Sequence, residues 1–129
     1  MYMALASDHA AASQKTQKTV VLIEDEMVIL ELLRTKLQNA GITVHTAQDG
    51  VAGLWLIKDI KPDLVLLDML LPSMNGLQIL EKMKEEGILP AMPVFIISNS
   101  GQPVEIERAM ELGVRDYLIK VNFIIKFLN

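Results

Sequence analysis

The stretch DLVLLDMLLPSMNG (residues 63–76) contains an unbroken aliphatic run at 64–67 that ends in an aspartate, Asp68. A run that is apolar at every residue fits a strand buried on both faces, as in a parallel sheet covered by helices. Similar β-branched or aliphatic runs predict four further strands, at 20–23, 42–46, 94–97 and 114–119. Three of the five runs are apolar almost throughout, which suits a sheet of this kind.

Helical patterns lie between and after these runs, at 26–40, 49–60, 76–86, 103–112 and 122–128. Asp49 is predicted to cap the second helix. Pro103 suits the first turn of the fourth helix, and Gly113 is predicted to end it. Strands and helices therefore alternate as (βα)5. Such units form a doubly wound α/β fold, a five-stranded parallel sheet with helices on both faces.

The composition describes one globular domain of 129 residues, of which 51% are hydrophobic and 22% charged. We expect the domain at 19–129, preceded by a flexible tail at 1–18. The absence of cysteine excludes thiol chemistry, and the net charge of -4 without a basic patch argues against direct nucleic-acid binding. No apolar run reaches membrane-spanning length and no signal peptide is evident, so a cytoplasmic location is expected.

Polar side chains follow the predicted strands at the points where they end. The first strand is followed by Glu24, Asp25 and Glu26, the third by Asp68, the fourth by Ser98 and the fifth by Lys120. Because the carboxyl ends of parallel strands meet at one edge of a sheet, these groups are expected to converge. Glu26 is interpreted as a residue of the helix start rather than as a ligand.

Clustered carboxylates require a cation. At a separation of about 5 Å, each pair of carboxylates costs roughly 3 kcal/mol. With oxygen donors only and no cysteine or histidine beside them, Mg²⁺ is the best chemical match. A metal, an acceptor carboxylate, a hydroxyl and a lysine together suit phosphoryl transfer to Asp68, giving an acyl phosphate.

The runs VVLIEDE, DLVLLDMLLPSMNG, VFIIS and DYLIK resemble the receiver domains of two-component response regulators, the CheY-like superfamily. The resemblance extends over about residues 19–120, with the motifs in order and each at a strand end. It implies a flavodoxin-like strand order of 2-1-3-4-5. It also implies a phosphorelay switch rather than an enzyme, with Mg²⁺ as the cofactor and Asp68 phosphorylated by a sensor histidine kinase or a phosphotransfer protein.

The resemblance also implies a role for each matching residue. Asp25 and Asp68 would bind Mg²⁺ directly, Glu24 would act mainly through metal-bound water, and the backbone carbonyl of Leu70 would be a further ligand. Lys120 would pair with Asp68 or with its phosphoryl group.

The expected switch involves residues of the fourth and fifth strands. Ser98 would donate a hydrogen bond to the phosphoryl oxygen, and Tyr117 would turn inward when Ser98 moves. The face formed by the fourth helix, fifth strand and fifth helix would change as a result. This face would then bind an output protein, an effector domain or a second copy of the chain.

Some positions depart from the family pattern. Val121 stands where the family has proline after the lysine, which removes the reason to expect a cis peptide there. Asn99 replaces a small residue beside the site, and the fifth helix is short. Leu70 and Ser100 occupy two positions associated with the lifetime of the acyl phosphate. Because an apolar Leu70 would orient a hydrolytic water poorly, slow self-dephosphorylation is expected.

Two other functions remain open. Asn99 and Val121 give some support to an interaction module of receiver shape that no longer uses phosphate. A phosphohydrolase acting through an aspartyl phosphate ranks last, because such enzymes need an acidic group where this chain has Leu70. Trp55 and the eight methionines are interpreted as packing residues.

Overall fold

The computed structural model describes residues 17–99 and 101–128, which form one parallel sheet with helices on both faces. The five strands lie in the order β2-β1-β3-β4-β5, and every neighbouring pair is parallel. They span β1 Thr19–Ile23, β2 Thr43–Ala47, β3 Leu64–Asp68, β4 Val94–Ser98 and β5 Asp116–Ile119. The predicted (βα)5 fold and the strand order implied by the resemblance are therefore confirmed. Of the tail predicted at 1–18, only the last two residues are among those described. Ser100 also lies outside the described residues.

The helices divide between the two faces of the sheet. They span α1 Met27–Asn39, α2 Gly50–Ile60, α3 Gly76–Glu85, α4 Pro103–Leu112 and α5 Lys120–Leu128. Leu30 and Leu33 of α1, with Phe123 and Ile124 of α5, pack with one face of the strands. The apolar sides of α2, α3 and α4 contribute to a larger cluster on the other face. Burial on both faces explains why the central strands β1, β3 and β4 are apolar along most of their length.

The helix boundaries follow the local signals that the sequence carries. Asp49 caps α2 by accepting a hydrogen bond from the Ala52 amide at 3.0 Å. Pro103 is in the first turn of α4, and Gly113 follows it in the left-handed region with φ 107°. These residues were predicted for these places. The last helix begins at Lys120, so the predicted start at 122 was wrong.

The packing interpretation of the large apolar residues was only partly right. Met69 and Met83 are buried in the core, but Met27 and Met110 are exposed. Trp55 lies on the outer side of α2 with 64% of its surface exposed, so its interpretation as a packing residue was wrong. Leu54 and the other buried residues of α2 occupy the side of the helix that faces the core, so the indole of Trp55 points outward. None of the described helices has the length and apolar character that crossing a bilayer requires.

Candidate functional site

The carboxyl ends of four strands bring a set of polar side chains into one buried place. Among the residues that the structure describes, the buried polar or charged side chains are Glu24, Asp68, Ser98 and Lys120, each at most 4% exposed. Glu24 follows β1, Asp68 ends β3, Ser98 ends β4 and Lys120 follows β5. Because charged groups are rarely buried without a partner, their burial at a single edge marks the candidate site.

Lys120 lies at the centre of this group. Its Nζ is 3.0 Å from Glu24 Oε1, 3.3 Å from Asp68 Oδ2 and 2.7 Å from Glu26 Oε1. Burial alone would lower the pKa of Lys120, but hydrogen bonds to Glu26 and Glu24 and the charge of Asp68 outweigh it and raise the pKa. The ammonium is therefore charged, and it neutralises part of the surrounding acidic cluster.

The buried carboxyl groups are harder to ionise than usual. Burial raises the pKa of Glu24 to about 7, and the negative charge of Asp68 adds to this effect. The amide of Glu26 and the Lys120 ammonium act in the opposite sense. Burial also raises the pKa of Asp68, although Lys120 and the Leu70 amide counteract it. The site is therefore short of positive charge even with Lys120 in place, and a further cation would stabilise the ionised carboxylates.

Three of the carboxylates could hold that cation. Glu24, Asp25 and Asp68 each offer an oxygen, and these three atoms lie within 4.8 Å of one another. Asp25 is exposed, so its oxygen opens the cluster toward solvent. In the described part of the chain, Glu24 Oε1 is the one buried side-chain polar atom that makes no hydrogen bond, although Lys120 Nζ is close to it. Oxygen-only donors, one of them a buried carboxylate oxygen that makes no hydrogen bond, fit a hard divalent cation such as Mg²⁺.

The backbone of Leu70 lies beside the same cluster. Its amide donates a hydrogen bond to Asp68 Oδ1 at 3.3 Å, while its side chain is 69% exposed. The residue that the resemblance implied as a ligand is therefore next to Asp68. Its apolar side chain adds no polar group to the pocket.

The loop at 69–75, which follows Asp68, is fixed to the start of α2. Ser73 Oγ donates a hydrogen bond to Asp49 Oδ1 at 3.0 Å, and the Gly50 amide donates to the Pro72 carbonyl at 3.1 Å. A Cβ on Gly50 would lie only 1.6 Å from the carbonyl oxygen of Met74, so this approach of two backbones requires glycine. The sequence predicted Asp49 only as a helix cap. The structure adds that this carboxylate also holds the loop beside Asp68.

Ser98 and Tyr117 lie together on the β4–β5 side of the site. Ser98 pairs with Ile119 in the sheet register, and Ile96 pairs with Tyr117. The hydroxyls of Ser98 and Tyr117 share a hydrogen bond, which acts against the rise in the pKa of Tyr117 that burial causes. The predicted hydroxyl and the predicted switch aromatic are thus in contact with each other.

The sequence did not identify every residue at this site. Glu26 was interpreted only as a helix-start residue, and its backbone carbonyl does accept the first hydrogen bond of α1, from Leu30. Its side chain instead makes the shortest contact with Lys120. The available signal was a third acidic residue in the run after β1, but helix propensity explained that residue equally well. Of the two departures near the site, Asn99 is exposed, and Val121 follows a trans peptide, since the cis peptide of the described residues is Leu89–Pro90.

Known proteins with similar sequences and folds belong to one group. The family model described as the response regulator receiver domain matches residues 20–125. The Regulator of RpoS of Escherichia coli K12 is 38% identical over 103 residues, which is 80% of this chain and 30% of that protein. The alkaline phosphatase synthesis transcriptional regulatory protein PhoP of Bacillus subtilis is 29% identical over 80% of this chain and 42% of its own length. The chain thus spans less than half the length of these two relatives.

Solved structures give the same result. The phosphorylated cyanobacterial phytochrome response regulator RcpA superposes with a TM-score of 0.78 at 28% identity, over 88% of each chain. The Mn²⁺-bound form of the response regulator Rcp1 has a TM-score of 0.71 at 25% identity, over 78% of this chain and 79% of that one.

Proposed function

Because the chain belongs to the response regulator receiver domain family, we propose that it is a phosphorylation switch whose acceptor is Asp68. The phosphoryl group would come from a sensor histidine kinase or a phosphotransfer protein in the cytoplasm. The observation that carries the proposal is the burial of Asp68 together with Lys120, Glu24 and Ser98 at one edge of the sheet. Nothing else in the described residues buries charged groups in this way.

The chemistry starts at the Asp68 carboxylate. One of its oxygens attacks the phosphorus, the bond from phosphorus to the donor atom breaks, and an acyl phosphate forms. Lys120, already 3.3 Å from Asp68 Oδ2, would pair with the new phosphoryl group, and Ser98 would donate a hydrogen bond to it. These contacts are charge-assisted, so they strengthen as negative charge accumulates on the transferred group.

The carboxylate cluster would hold Mg²⁺ for this reaction. Asp25 and Asp68 would bind it directly, Glu24 mainly through water, and the Leu70 carbonyl would complete the protein ligands. When bound, the ion supplies positive charge that offsets the repulsion between the carboxylates and the incoming phosphoryl group. The similarity to Rcp1, whose solved form is Mn²⁺-bound, supports the binding of a divalent cation.

The output would depend on Ser98 and Tyr117. Drawing the Ser98 hydroxyl toward a phosphoryl group would break the hydrogen bond that it shares with Tyr117. Tyr117 could then repack and alter the face formed by α4, β5 and α5. To move the chain almost completely from the inactive to the active conformation, phosphorylation must stabilise the active one by roughly 5.5 kcal/mol more than the inactive one. A few charge-assisted hydrogen bonds could supply this difference. This face would bind an output protein, an effector domain or a second copy, with no direct nucleic-acid contact.

The test of this function is phosphoryl uptake from a small acyl phosphate donor in the presence of Mg²⁺. Intact mass spectrometry is expected to show the gain of one phosphoryl group, which hydroxylamine removes because it cleaves acyl phosphates. Unchanged mass at every Mg²⁺ concentration would reject the switch and favour an interaction module that does not use phosphate.

The lifetime of the phosphorylated form provides a separate prediction. The exposed, apolar side chain of Leu70 cannot orient a water molecule for hydrolysis of the acyl phosphate. Self-dephosphorylation is therefore expected to be slow. Leu70→Asn is expected to accelerate it about tenfold, the effect of one added hydrogen bond to the attacking water. Phosphate release after removal of the donor measures both rates. A half-life of seconds in the unmodified chain would contradict this prediction.

A further inference from the structure

The Lys120 ammonium has three N–H donors and three carboxylate partners. Two of the partners, Glu24 and Asp68, belong to the cluster that could hold a cation. The third, Glu26, is outside that cluster, although its Oε1 makes the shortest contact with Nζ, at 2.7 Å. Lys120 therefore joins the proposed metal pocket to one carboxylate that does not take part in it.

Glu26 differs from the other two partners in its surroundings. Its side chain is 52% exposed, whereas the side chains of Glu24 and Asp68 are 1% and 5% exposed. Its backbone is fixed, because its amide donates to Glu24 Oε2 at 3.0 Å and its carbonyl accepts from the Leu30 amide. Its side chain makes no capping hydrogen bond with α1. The Glu26 carboxylate therefore does not cap α1, and it lies within hydrogen-bonding distance of Lys120.

We propose that Glu26 is a positioning residue that retains the Lys120 ammonium when a divalent cation enters the pocket. The proposal rests on the metal site of the proposed function. A dication among Glu24, Asp25 and Asp68 would compete with the ammonium for two shared carboxylates and would repel it. Contact with Glu26 leaves the buried ammonium one full negative partner after this exchange.

Without Glu26, cation binding would leave Lys120 with no carboxylate of its own. If the buried ammonium gives up Glu24 and Asp68 to the cation, it remains unpaired, which costs free energy. If it stays in contact with Glu24 and Asp68, its positive charge repels the cation. In both cases the affinity for the cation falls. Glu26 therefore favours metal binding through Lys120, without being a metal ligand.

The first measurement is Mn²⁺ binding by electron paramagnetic resonance, since the sharp signal of the free ion is lost on binding. Glu26→Gln is expected to raise the dissociation constant for Mn²⁺ about fivefold or more. This is the effect expected from the loss of one charge-assisted hydrogen bond. The matched control is Glu31→Gln, the same charge change at a half-buried α1 residue that pairs with Arg34. This control is expected to leave the constant unchanged.

A double-mutant cycle separates action through Lys120 from direct attraction between Glu26 and the ion. In a Lys120→Met background, Glu26→Gln is expected to change the dissociation constant by less than about twofold. An equal change in both backgrounds would show that Glu26 acts on the ion through space and would overturn the proposal. Normal Mn²⁺ binding in Glu26→Gln itself would overturn this inference alone. Failure of the unmodified chain to bind Mn²⁺ would overturn the proposed metal site as well.

A measurement on the unmodified chain decides the matter if Lys120→Met does not fold. Nuclear magnetic resonance can detect scalar couplings across hydrogen bonds from Lys120 Nζ to the carboxylate carbons. With saturating Mg²⁺, the coupling to Glu26 is expected to persist. Loss of the Glu26 coupling when Mg²⁺ binds would overturn the proposal.

Discussion

Replacing Asp68 with asparagine is expected to abolish phosphoryl uptake from a small acyl phosphate donor. The amide has nearly the shape of the carboxylate, but it lacks the anionic oxygen that attacks phosphorus. The fold should be retained, because burial raises the pKa of Asp68 and a neutral group at this position removes a buried negative charge. Lys120 would keep Glu24 and Glu26 as partners. Intact mass and thermal unfolding, measured on the same samples, check both parts.

Asp59→Asn is the matched control for this substitution. Asp59 lies exposed on α2, away from the carboxyl edge of the sheet, and the charge change is the same. This variant is expected to take up a phosphoryl group as the unmodified chain does. Uptake that survives in Asp68→Asn would place the acceptor elsewhere and reject the assignment.

The metal-free protein is expected to be about 2–3 kcal/mol more stable at pH 5 than at pH 8. Glu24 has a pKa of about 7 in the folded chain against 4.5 for an unperturbed glutamate, so the folded state binds this proton more tightly than the unfolded state. The resulting stability is fully present below about pH 4.5 and is lost as the pH rises through about 7. Asp68, whose pKa is also raised, contributes in the same direction. The lowered pKa values of Asp49 and Asp63 act below this window.

Urea unfolding in the presence of a chelator measures this dependence. Glu24→Gln should reduce the difference between pH 5 and pH 8, because the amide cannot titrate. Saturating Mg²⁺ should restore stability at pH 8, since a ligand present at a hundred times its dissociation constant adds about 2.7 kcal/mol. A stability that is constant or rises between pH 5 and pH 8 without metal would contradict the electrostatic description of the pocket.

The sequence predicted the parts of the fold that depend on local patterns. The aliphatic run at 64–67 and its counterparts predicted five strands, because burial on both faces of the sheet leaves β1, β3 and β4 without polar alternation. Parallel strands place their carboxyl ends at one edge, so the meeting of Asp68 with Lys120 could be expected before any coordinates. The order of the strands could not be obtained in this way and came from the resemblance.

Features that depend on side-chain direction or on distant contacts were missed. The contact of Glu26 with Lys120 joins the start of α1 to the end of β5, and no spacing in the sequence reports it. The attachment of Ser73 to Asp49 likewise joins two separate loops. Trp55 was interpreted as a packing residue, but its position on α2 turns it toward solvent. In each case the sequence allowed more than one interpretation, and only the tertiary structure showed which one was correct.

The central claim is that Asp68 and the cation share one pocket, and the Mg²⁺ dependence of phosphoryl uptake tests it most directly. The rate of uptake is measured over a range of Mg²⁺ concentrations, beside the Mg²⁺ dissociation constant from calorimetry. The half-maximal Mg²⁺ concentration for uptake is expected to equal the dissociation constant, and Asp25→Asn is expected to raise both by the same factor. Uptake at full rate in excess chelator, or a half-maximal concentration that Asp25→Asn leaves unchanged while binding weakens, would contradict this claim.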